Sequence, residues 1–282
     1  MQSGAIRPLN NMLPRNLFNA EHEAFRETVR KFYAKEVVPN IEKYEQQQHV
    51  DRELWNKAGT MGLLCATMPE AYGGSGVDRL YSMILIEEQA YAMDSSTGFS
   101  LHSDIVANYI NNFGNEAQKH YWLTRMASGE TVTAIAMTEP GTGSDLQAVR
   151  TTAVLDGDDY IINGSKIFIT NGYLCDMAIV VCKTGDSEKG SANLSLIIVE
   201  TDRAGFSKGK PLNKIGMKGQ DTCELFFDHV RVPKENLLGM EGMGFMMLMK
   251  ELAWERMLVA IICQAGAEAA LAHTVQYTKA RK

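Results

Sequence analysis

The sequence comprises 282 residues, of which 45% are hydrophobic and 22% are charged. These values are typical of a soluble globular protein, and the length allows one large or two smaller domains without stabilising disulfides or metals. The net charge of −6 provides no basic surface for phosphates, so nucleic acid is not expected as the main partner. The longest uninterrupted apolar run, at residues 257–263, is far shorter than the ~20 residues that span a bilayer, so membrane insertion is not expected either.

The five cysteines are an odd number at wide spacing, and no two of them form a Cys-X-X-Cys pair. This arrangement favours reduced thiols in a cytoplasmic protein over disulfides, a zinc site or a thiol-exchange site. The first twenty residues lack the apolar segment and small-residue cleavage site of a secretory signal, and we interpret them as a loose arm. An organellar targeting segment is the less favoured interpretation.

The first part of the chain has a helical pattern. Residues 19–39 place apolar side chains on one face, with Asn19 as the N-cap and Pro39 at the end. Further helical patterns cover residues 51–61, 77–93, 102–113 and 116–126. We therefore expect an N-terminal helical domain over residues 1–130.

After residue 130 the hydrophobic period changes to two. Runs rich in β-branched residues predict strands at residues 131–138, 152–155, 160–162, 166–170, 177–182, 194–199 and 225–232. The pairs Asp156-Gly157 and Asn163-Gly164 each predict a type I′ hairpin, because both central residues of that turn need positive φ. The sequence therefore predicts a β domain over residues 131–240 with consecutive antiparallel strands.

The helical period returns after Gly242 and continues to Lys282 with no glycine or proline to end it. A single long helix would expose its apolar stripe, so we expect residues 241–282 to pack on other chains or to be followed by further sequence. The predicted fold class is α+β, with an N-terminal helical domain, a middle antiparallel β domain and the start of a C-terminal helical bundle.

Three glycine clusters do not match a dinucleotide-binding loop, because Arg79, Leu146 and Met247 occupy the positions of the third glycine or alanine. The chain also contains neither a phosphate-binding loop motif nor a His-Glu-X-X-His motif, and its six histidines are scattered. A classical Rossmann site, an ATPase site and a metal site are therefore not predicted.

Two strand-to-loop segments are suited to a flat cofactor. Residues 134–145 end a strand in a loop with two glycines and the hydroxyls of Thr138, Thr142 and Ser144. Glycines let the backbone approach a ligand closely, and short hydroxyls donate hydrogen bonds. Residues 166–172 repeat this design with an aromatic ring, a hydroxyl and a glycine turn. Taken alone, the first segment is equally typical of a simple strand-terminating turn.

These segments and their spacing resemble the acyl-CoA dehydrogenase family, whose β domain holds FAD. The likeness extends through residues 214–228, 231–233 and 250–256, while residues 87–91 and 99–104 are similar to the long-chain branch. The resemblance covers nearly the whole chain, whereas family members usually continue into a longer helical bundle.

The resemblance implies a set of cofactor-binding residues on the β domain. Met137 and Thr138 would lie at the pyrimidine edge of the flavin, Phe168 on its ring system and Thr170 near N5. Arg281 is similar to an arginine that reaches the FAD pyrophosphate of a neighbouring subunit; without the resemblance, a solvated helix end would be preferred. The complete predicted set is Ile135, Ala136, Met137, Thr138, Gly143, Ser144, Phe168, Ile169, Thr170 and Arg281.

Removal of a proton next to a thioester needs a carboxylate of raised basicity, since a free glutamate with a pKa near ~4.3 is a poor base at neutral pH. On the C-terminal helix, Glu255 falls on an apolar stripe formed by Leu248, Leu252, Val259 and Ile262. Burial and the like charge of Glu251 one turn earlier should both disfavour ionisation. The resemblance implies that Glu255 is the catalytic base. The alternative is that Arg256 and Lys250 pair with the two acids and that the helix only covers a partner surface.

The substrate-binding residues that the resemblance implies are Ser144, which would meet the acyl-CoA, Met246, Trp254 and Arg256, which would lie near the substrate head. Six methionines surround the start of the helix, at positions 240, 243, 246, 247, 249 and 257. Their flexible side chains suit a wall for acyl chains of varying length, although core filling is the simpler explanation for each.

We therefore expect an FAD-dependent enzyme that converts a long-chain acyl-CoA to the trans-2-enoyl-CoA in fatty-acid β-oxidation. The resemblance implies electron-transfer flavoprotein as the electron acceptor and a homotetramer as the assembly. Two alternatives remain open, an acyl-CoA oxidase and a catalytically inactive FAD- or CoA-binding fragment.

Overall fold

The computed structural model describes residues 15–185 and 190–281. Most of the predicted loose arm and Lys282 lie outside the described residues. The α-helices are α1 (Ala20–Phe32), α2 (Ile41–Gln47), α3 (Arg52–Thr60), α4 (Arg79–Tyr91), α5 (Ala107–Phe113), α6 (Glu116–Ala127) and α7 (Gly244–Ala280). The strands are β1 (Thr133–Ala136), β2 (Thr152–Asp156), β3 (Asp159–Thr170), β4 (Met177–Lys183), β5 (Leu194–Glu200), β6 (Phe206–Lys208), β7 (Thr222–Pro233) and β8 (Leu237–Leu238).

Helix α1 begins as the sequence predicts, because the Asn19 side chain accepts hydrogen bonds from the backbone N–H groups of Glu21 and His22. The prediction that Pro39 ends the helical segment is wrong. Helix α1 continues through a π-helical turn and the 3₁₀ turn Val38–Asn40 into α2. Pro39 is accommodated because it lies in the first turn, where its missing N–H removes no hydrogen bond.

The helical segment before α5 starts as a π-helix, Leu101–Val106, which turns His102 and Asp104 into the interior. Burial lowers the pKa of His102 to about 4, so the ring is neutral at physiological pH. Its Nε2 then donates to the Met126 carbonyl at 3.1 Å, and Nδ1 accepts from the Thr133 hydroxyl at 2.9 Å. The histidine thereby links the helical region to β1.

The described residues form one sheet in the order β6-β7-β3-β2-β4-β5-β8, with β1 beside β4. The prediction of consecutive antiparallel strands holds for β2 with β3 and for β4 with β5. It is wrong for β1, which pairs with β4 in parallel, so that Ile135 lies opposite Ile179. The sheet is therefore mixed, since β2 also pairs with β4 in parallel, with Thr152 opposite Lys183.

The two predicted hairpins have different outcomes. Gly157 joins β2 to β3 with φ +66°, but Asp158 has no positive φ, which is the pattern of a type II′ turn and not of type I′. The hairpin at Asn163-Gly164 is wrong, because β3 runs without interruption through both residues. A Cβ at Gly164 would lie 2.5 Å from the Thr151 Oγ1, so this glycine allows close packing of the chain and not a reversal.

Helix α7 follows the sheet and packs on α4 through small side chains, with Ala265 and Ala269 against Ala90 and Tyr91. The apolar stripe predicted on this helix is only partly correct, since Val259 is 60% exposed. The buried positions are instead Gly244, Met247, Leu248, Glu251, Leu258, Ala265, Ala269 and Ala272. Helix α7 is long and apolar enough to cross a membrane by length and composition, a test that core helices of soluble proteins also pass.

Candidate functional site

The predicted base, Glu255, lies half-buried on the side of α7 that faces α5. Tyr109 lies on α5 and its ring is fully buried. Its hydroxyl donates to Oε1 of Glu255 at 2.8 Å. The contact joins residues 146 positions apart in the chain. It fixes the carboxylate in the junction between the two helices.

Burial is the largest effect on Glu255 and raises its pKa above the usual range of a glutamate. The charge of Glu251, one turn earlier, raises the pKa further, while the hydrogen bond from Tyr109 and the charge of Arg256 lower it. Glu251 is itself buried and accepts a hydrogen bond from the Asn112 amide at 2.8 Å. The site therefore contains a partly desolvated carboxylate of raised basicity, which suits proton abstraction.

The alternative in which Lys250 and Arg256 form ion pairs with the two acids is wrong for the part of the chain that the structure describes. The Lys250 ammonium lies 5.2 Å from the centre of the Phe113 ring, and Arg256 is exposed. The hydrogen-bond donors to the acids are the neutral groups of Tyr109 and Asn112.

Trp254, next to the base, lines an apolar groove between α4 and α7. The groove has a volume of about 470 Å³ and is lined by Asp78, Arg79, Leu80, Met83, Trp254, Met257 and Ile261. The Arg79 guanidinium lies over the Trp254 ring at 4.3 Å from its centre. Met246 does not line this groove and is 62% exposed, and Arg256 does not line it either and is exposed.

The first predicted cofactor segment continues from β1 and is held by a buried ion pair. Lys166 Nζ lies 2.9 Å from Glu139 Oε1 and donates to the Met137 carbonyl at 3.1 Å. The Ile167 N–H donates to the Thr138 carbonyl at 2.9 Å. The structure thus brings the two cofactor segments together, with Met137 and Thr138 half-buried beside the end of β3.

The second segment presents an aromatic ring to solvent. Phe168 is 63% exposed and adopts φ +60°, at a point where the register between β3 and β7 shifts. A bulky residue with positive φ is strained. The bulge turns the Phe168 ring towards solvent, where no packing of the ring offsets this strain, and such strain is often found at functional sites. Thr170 lies half-buried two residues later. An uncovered ring next to a hydroxyl fits a flat aromatic cofactor with polar edges.

The remaining predicted cofactor residues differ in what they can contribute. Ile135, Ala136 and Ile169 are buried in the cores, so only their backbone groups could reach a ligand. Gly143 and Ser144 are exposed, and a Cβ at Gly143 would contact nothing within 4 Å. The backbone at Gly143 is therefore accessible from solvent.

One hydrophobic cluster connects the cofactor segments with the acids. Ile135, Tyr109 and Leu248 are buried in this cluster, and Met137 packs against it. Arg281 lies elsewhere, at the exposed C-terminal end of α7. At 1.5 Å per residue it is about 39 Å along the helix from Glu255, so it does not belong to the same site within one chain.

Comparison with protein families gives two adjacent matches. Residues 19–130 match the N-terminal domain of acyl-CoA dehydrogenase, and residues 134–230 match its middle domain. A solved acyl-CoA dehydrogenase from Geobacillus kaustophilus has 46% sequence identity and a TM-score of 0.93, over 95% of this chain and 70% of that one. The chain belongs to the acyl-CoA dehydrogenase family.

Two further members of the acyl-CoA dehydrogenase family bear on the site. The long-chain specific acyl-CoA dehydrogenase of Sus scrofa mitochondria is 48% identical over 100% of this chain. The present chain spans 66% of the length of that relative. A solved acyl-CoA dehydrogenase from Bacillus anthracis, complexed with FAD, is 34% identical with a TM-score of 0.88, over 98% of this chain and 48% of that one.

Tyr109, Asn112 and the ion pair of Lys166 with Glu139 were not predicted from the sequence of this acyl-CoA dehydrogenase family member. Tyr109 and Asn112 carry no motif, and their role depends on how α5 meets α7. Lys166 did offer a signal, since a lysine at the buried phase of a strand needs a carboxylate partner.

Proposed function

We propose that this chain carries the flavin site and the catalytic base of an FAD-dependent acyl-CoA dehydrogenase. Its substrate would be an acyl-CoA and its product the trans-2-enoyl-CoA. The observation that carries the proposal is Glu255, a half-buried carboxylate of raised pKa beside the cluster that contacts Met137. The similarity to acyl-CoA dehydrogenases along the whole chain supports it.

The residues that would hold FAD are those whose geometry leaves space for a flat ligand. Phe168 offers an uncovered ring, Thr138 and Thr170 offer polar groups, and the open loop at Gly143 allows close approach. The FAD-complexed relative supports this choice of cofactor. When bound, FAD supplies the capacity to accept a hydride.

In the proposed reaction, Glu255 takes the proton from the carbon next to the thioester carbonyl. The α C–H electron pair becomes the second bond of the α,β double bond, and the β-hydrogen leaves with its own electron pair to the cofactor. The chain contributes a base in its carboxylate form, held by Tyr109 in a partly desolvated junction. The low polarity of this junction strengthens the electrostatic interactions that act on the reacting groups.

We propose a long-chain acyl group as the substrate. The groove lined by Met83, Trp254 and Met257 is apolar and open at the surface, so that it does not limit chain length. The 48% identity to a long-chain specific enzyme supports this assignment. Electron-transfer flavoprotein as acceptor, a homotetrameric assembly and Arg281 at a neighbouring subunit's cofactor are part of the same proposal and rest on the family resemblance.

The proposal is tested by loading the protein with FAD and adding palmitoyl-CoA without oxygen. We expect the visible absorption of the oxidised flavin to bleach, more completely than with butyryl-CoA at equal concentration. Glu255→Gln should retain FAD but bleach at least ~100-fold more slowly, because the general base is lost. Glu45→Gln, at an exposed acid of α2, is the matched control and should bleach normally.

Three outcomes would contradict the proposal. Failure of the wild-type protein to bind FAD would indicate that the chain lacks the cofactor site. Bleaching of Glu255→Gln at the wild-type rate would place the base elsewhere. Fast reoxidation by air with product still bound would indicate an oxidase.

A further inference from the structure

Two helices meet through a matched pair of partly buried hydrogen bonds. On α5, Tyr109 and Asn112 are three residues apart, and on α7, Glu251 and Glu255 are four apart. These spacings place each pair on one helix face. Tyr109 donates to Glu255 and Asn112 donates to Glu251, both at 2.8 Å.

The Tyr109 contact occupies one oxygen of the carboxylate. The hydrogen bond is made to Oε1 of Glu255, and no described residue donates to Oε2. The Tyr109 ring is completely buried, and burial together with the charge of Glu255 raises its pKa. The phenol therefore stays protonated at physiological pH and acts as a permanent donor.

We propose that Tyr109 is a positioning residue that holds Oε1 of Glu255 and leaves Oε2 to receive the substrate proton. This inference rests on the proposed function, because it takes Glu255 as the base. Tyr109 does not touch the reacting atoms in this arrangement. It limits the rotation of the carboxylate and stabilises its charged form, whereas Glu251, held in place by Asn112, disfavours the charged form.

The groups that act on the pKa of Glu255 lie on α7 itself and on α5. On its own helix, Glu251 and Arg256 act on its pKa in opposite directions. Charged groups on other elements packed against α7 contact other residues: the Arg79 guanidinium of α4 stacks on Trp254, and Asp104, in the π-helix before α5, accepts from Ser82. Tyr109 is the hydrogen-bond donor to Glu255 among the described residues, so its removal should act on the pKa of Glu255 directly.

The experiment is a titration of the Glu255 carboxyl in the substrate-free protein by isotope-edited infrared spectroscopy. Its band is assigned by its loss in Glu255→Gln. Tyr109→Phe should raise the pKa of Glu255 by about one unit or more, because a hydrogen bond to the charged form is lost. Glu251→Gln, which keeps the acceptor for Asn112, should lower the same pKa.

The pH dependence of flavin reduction by palmitoyl-CoA should shift in the same direction as the pKa of Glu255 in each variant. The acidic limb of its pH profile should move to higher pH in Tyr109→Phe and to lower pH in Glu251→Gln. The matched control is Tyr91→Phe, which removes a similar 2.8 Å hydrogen bond to Glu268 on the same helix. That contact lies about 20 Å along α7, so the control should move neither the carboxyl titration nor the limb.

The outcomes separate this inference from the proposed function. An unchanged titration in Tyr109→Phe, or an equal shift in Tyr91→Phe, would overturn the role of Tyr109 even where Glu255→Gln abolishes bleaching. Normal bleaching in Glu255→Gln would instead overturn the proposed function. If Tyr109→Phe does not fold, 3-fluorotyrosine at position 109 replaces it; its more acidic phenol is a stronger donor and should lower the pKa of Glu255, and no shift would overturn the inference.

Discussion

Asp104 is a buried acid that the proposed reaction does not use. It lies on the π-helix before α5 with 4% of its surface exposed, and the Ser82 hydroxyl donates to it at 2.5 Å. Burial raises the pKa of Asp104 to about 7, although the hydrogen bond from Ser82 and the positive charge of Arg79 both lower it. The folded protein therefore binds a proton at this residue that the unfolded chain has already lost at neutral pH.

The sign of the effect on stability follows from the raised pKa. The unfolded chain loses this proton near pH ~3.9, so the contribution of Asp104 to stability is fully present below that pH and is lost as the pH rises through about 7. A shift of this size corresponds to about 4 kcal/mol once both states are ionised. Asp104→Asn should therefore raise the free energy of unfolding by about 2–4 kcal/mol near pH ~8 and by little near pH ~4.

Denaturant unfolding of both proteins at the two pH values measures this difference. The pKa of His102 is lowered to about 4, so its contribution to stability changes with pH in the opposite direction over the same range. His102 is present in both proteins, so its contribution cancels in the difference between them. An equal difference at both pH values would contradict a raised pKa for Asp104.

At the residue level, an acid on an apolar helix face is visible in the sequence pattern, which predicts burial of Glu255, and the structure places this residue half-buried. The pattern could not locate Tyr109 or Asp104, whose environments depend on contacts between elements distant in the chain. Ile135, Ala136 and Ile169 were assigned by the family resemblance, and their burial restricts any contact with a cofactor to the backbone.

At the scale of elements, the ion pair of Lys166 and Glu139 joins the loop after β1 to β3. Lys166 is fully buried, and Glu139 also accepts hydrogen bonds from the Arg150 and Thr151 N–H groups and the Thr151 hydroxyl. Burial alone would raise the pKa of Glu139, but the charge of Lys166 and these hydrogen bonds lower it. The pair therefore fixes the backbone on which Met137 and Thr138 lie.

Lys166→Met keeps an unbranched side chain that is one atom shorter but leaves the Glu139 charge without its partner. Loss of one member of a buried pair typically costs about 3–5 kcal/mol, and we expect a fall of about 3 kcal/mol in the free energy of unfolding. FAD should also be retained more weakly, because the Met137 carbonyl loses its donor. Denaturant unfolding and flavin release on dilution measure the two effects.

The matched control is Lys234→Met, which breaks an exposed pair with Asp158. Solvent screens such a pair, so neither stability nor FAD retention should change measurably. A Lys166→Met protein as stable as Lys234→Met would show that the buried pair does not hold the segment.

Most elements could be predicted from sequence, including α3, α4, α6, β4 and β5, because local periodicity and capping specify them. The continuity of β3 could not be predicted, because Asn163-Gly164 has the composition of a turn. The glycine is explained only by the close packing of Thr151 against it. The short strands β6 and β8 also escaped prediction, because three and two residues carry no period.

At the scale of the whole molecule, the candidate site lies where the three regions meet. One hydrophobic cluster contains residues of α5, β1 and α7, and a second set of contacts links the chain before α1 to α4 and α7 through Arg15, Glu87 and Glu268. Sequence reasoning predicted the three regions but not this junction. The approach of Tyr109 to Glu255 arises only when α7 packs against α5.

The central claim is that Glu255 removes the α-proton of a bound thioester. Its most direct test is exchange of α-hydrogens with deuterated water, measured by mass spectrometry, in an acyl-CoA whose β-carbon bears no hydrogen and so cannot be oxidised. The FAD-loaded protein should catalyse the exchange, and Glu255→Gln should slow it at least ~100-fold. Exchange by Glu255→Gln at the wild-type rate would contradict the account.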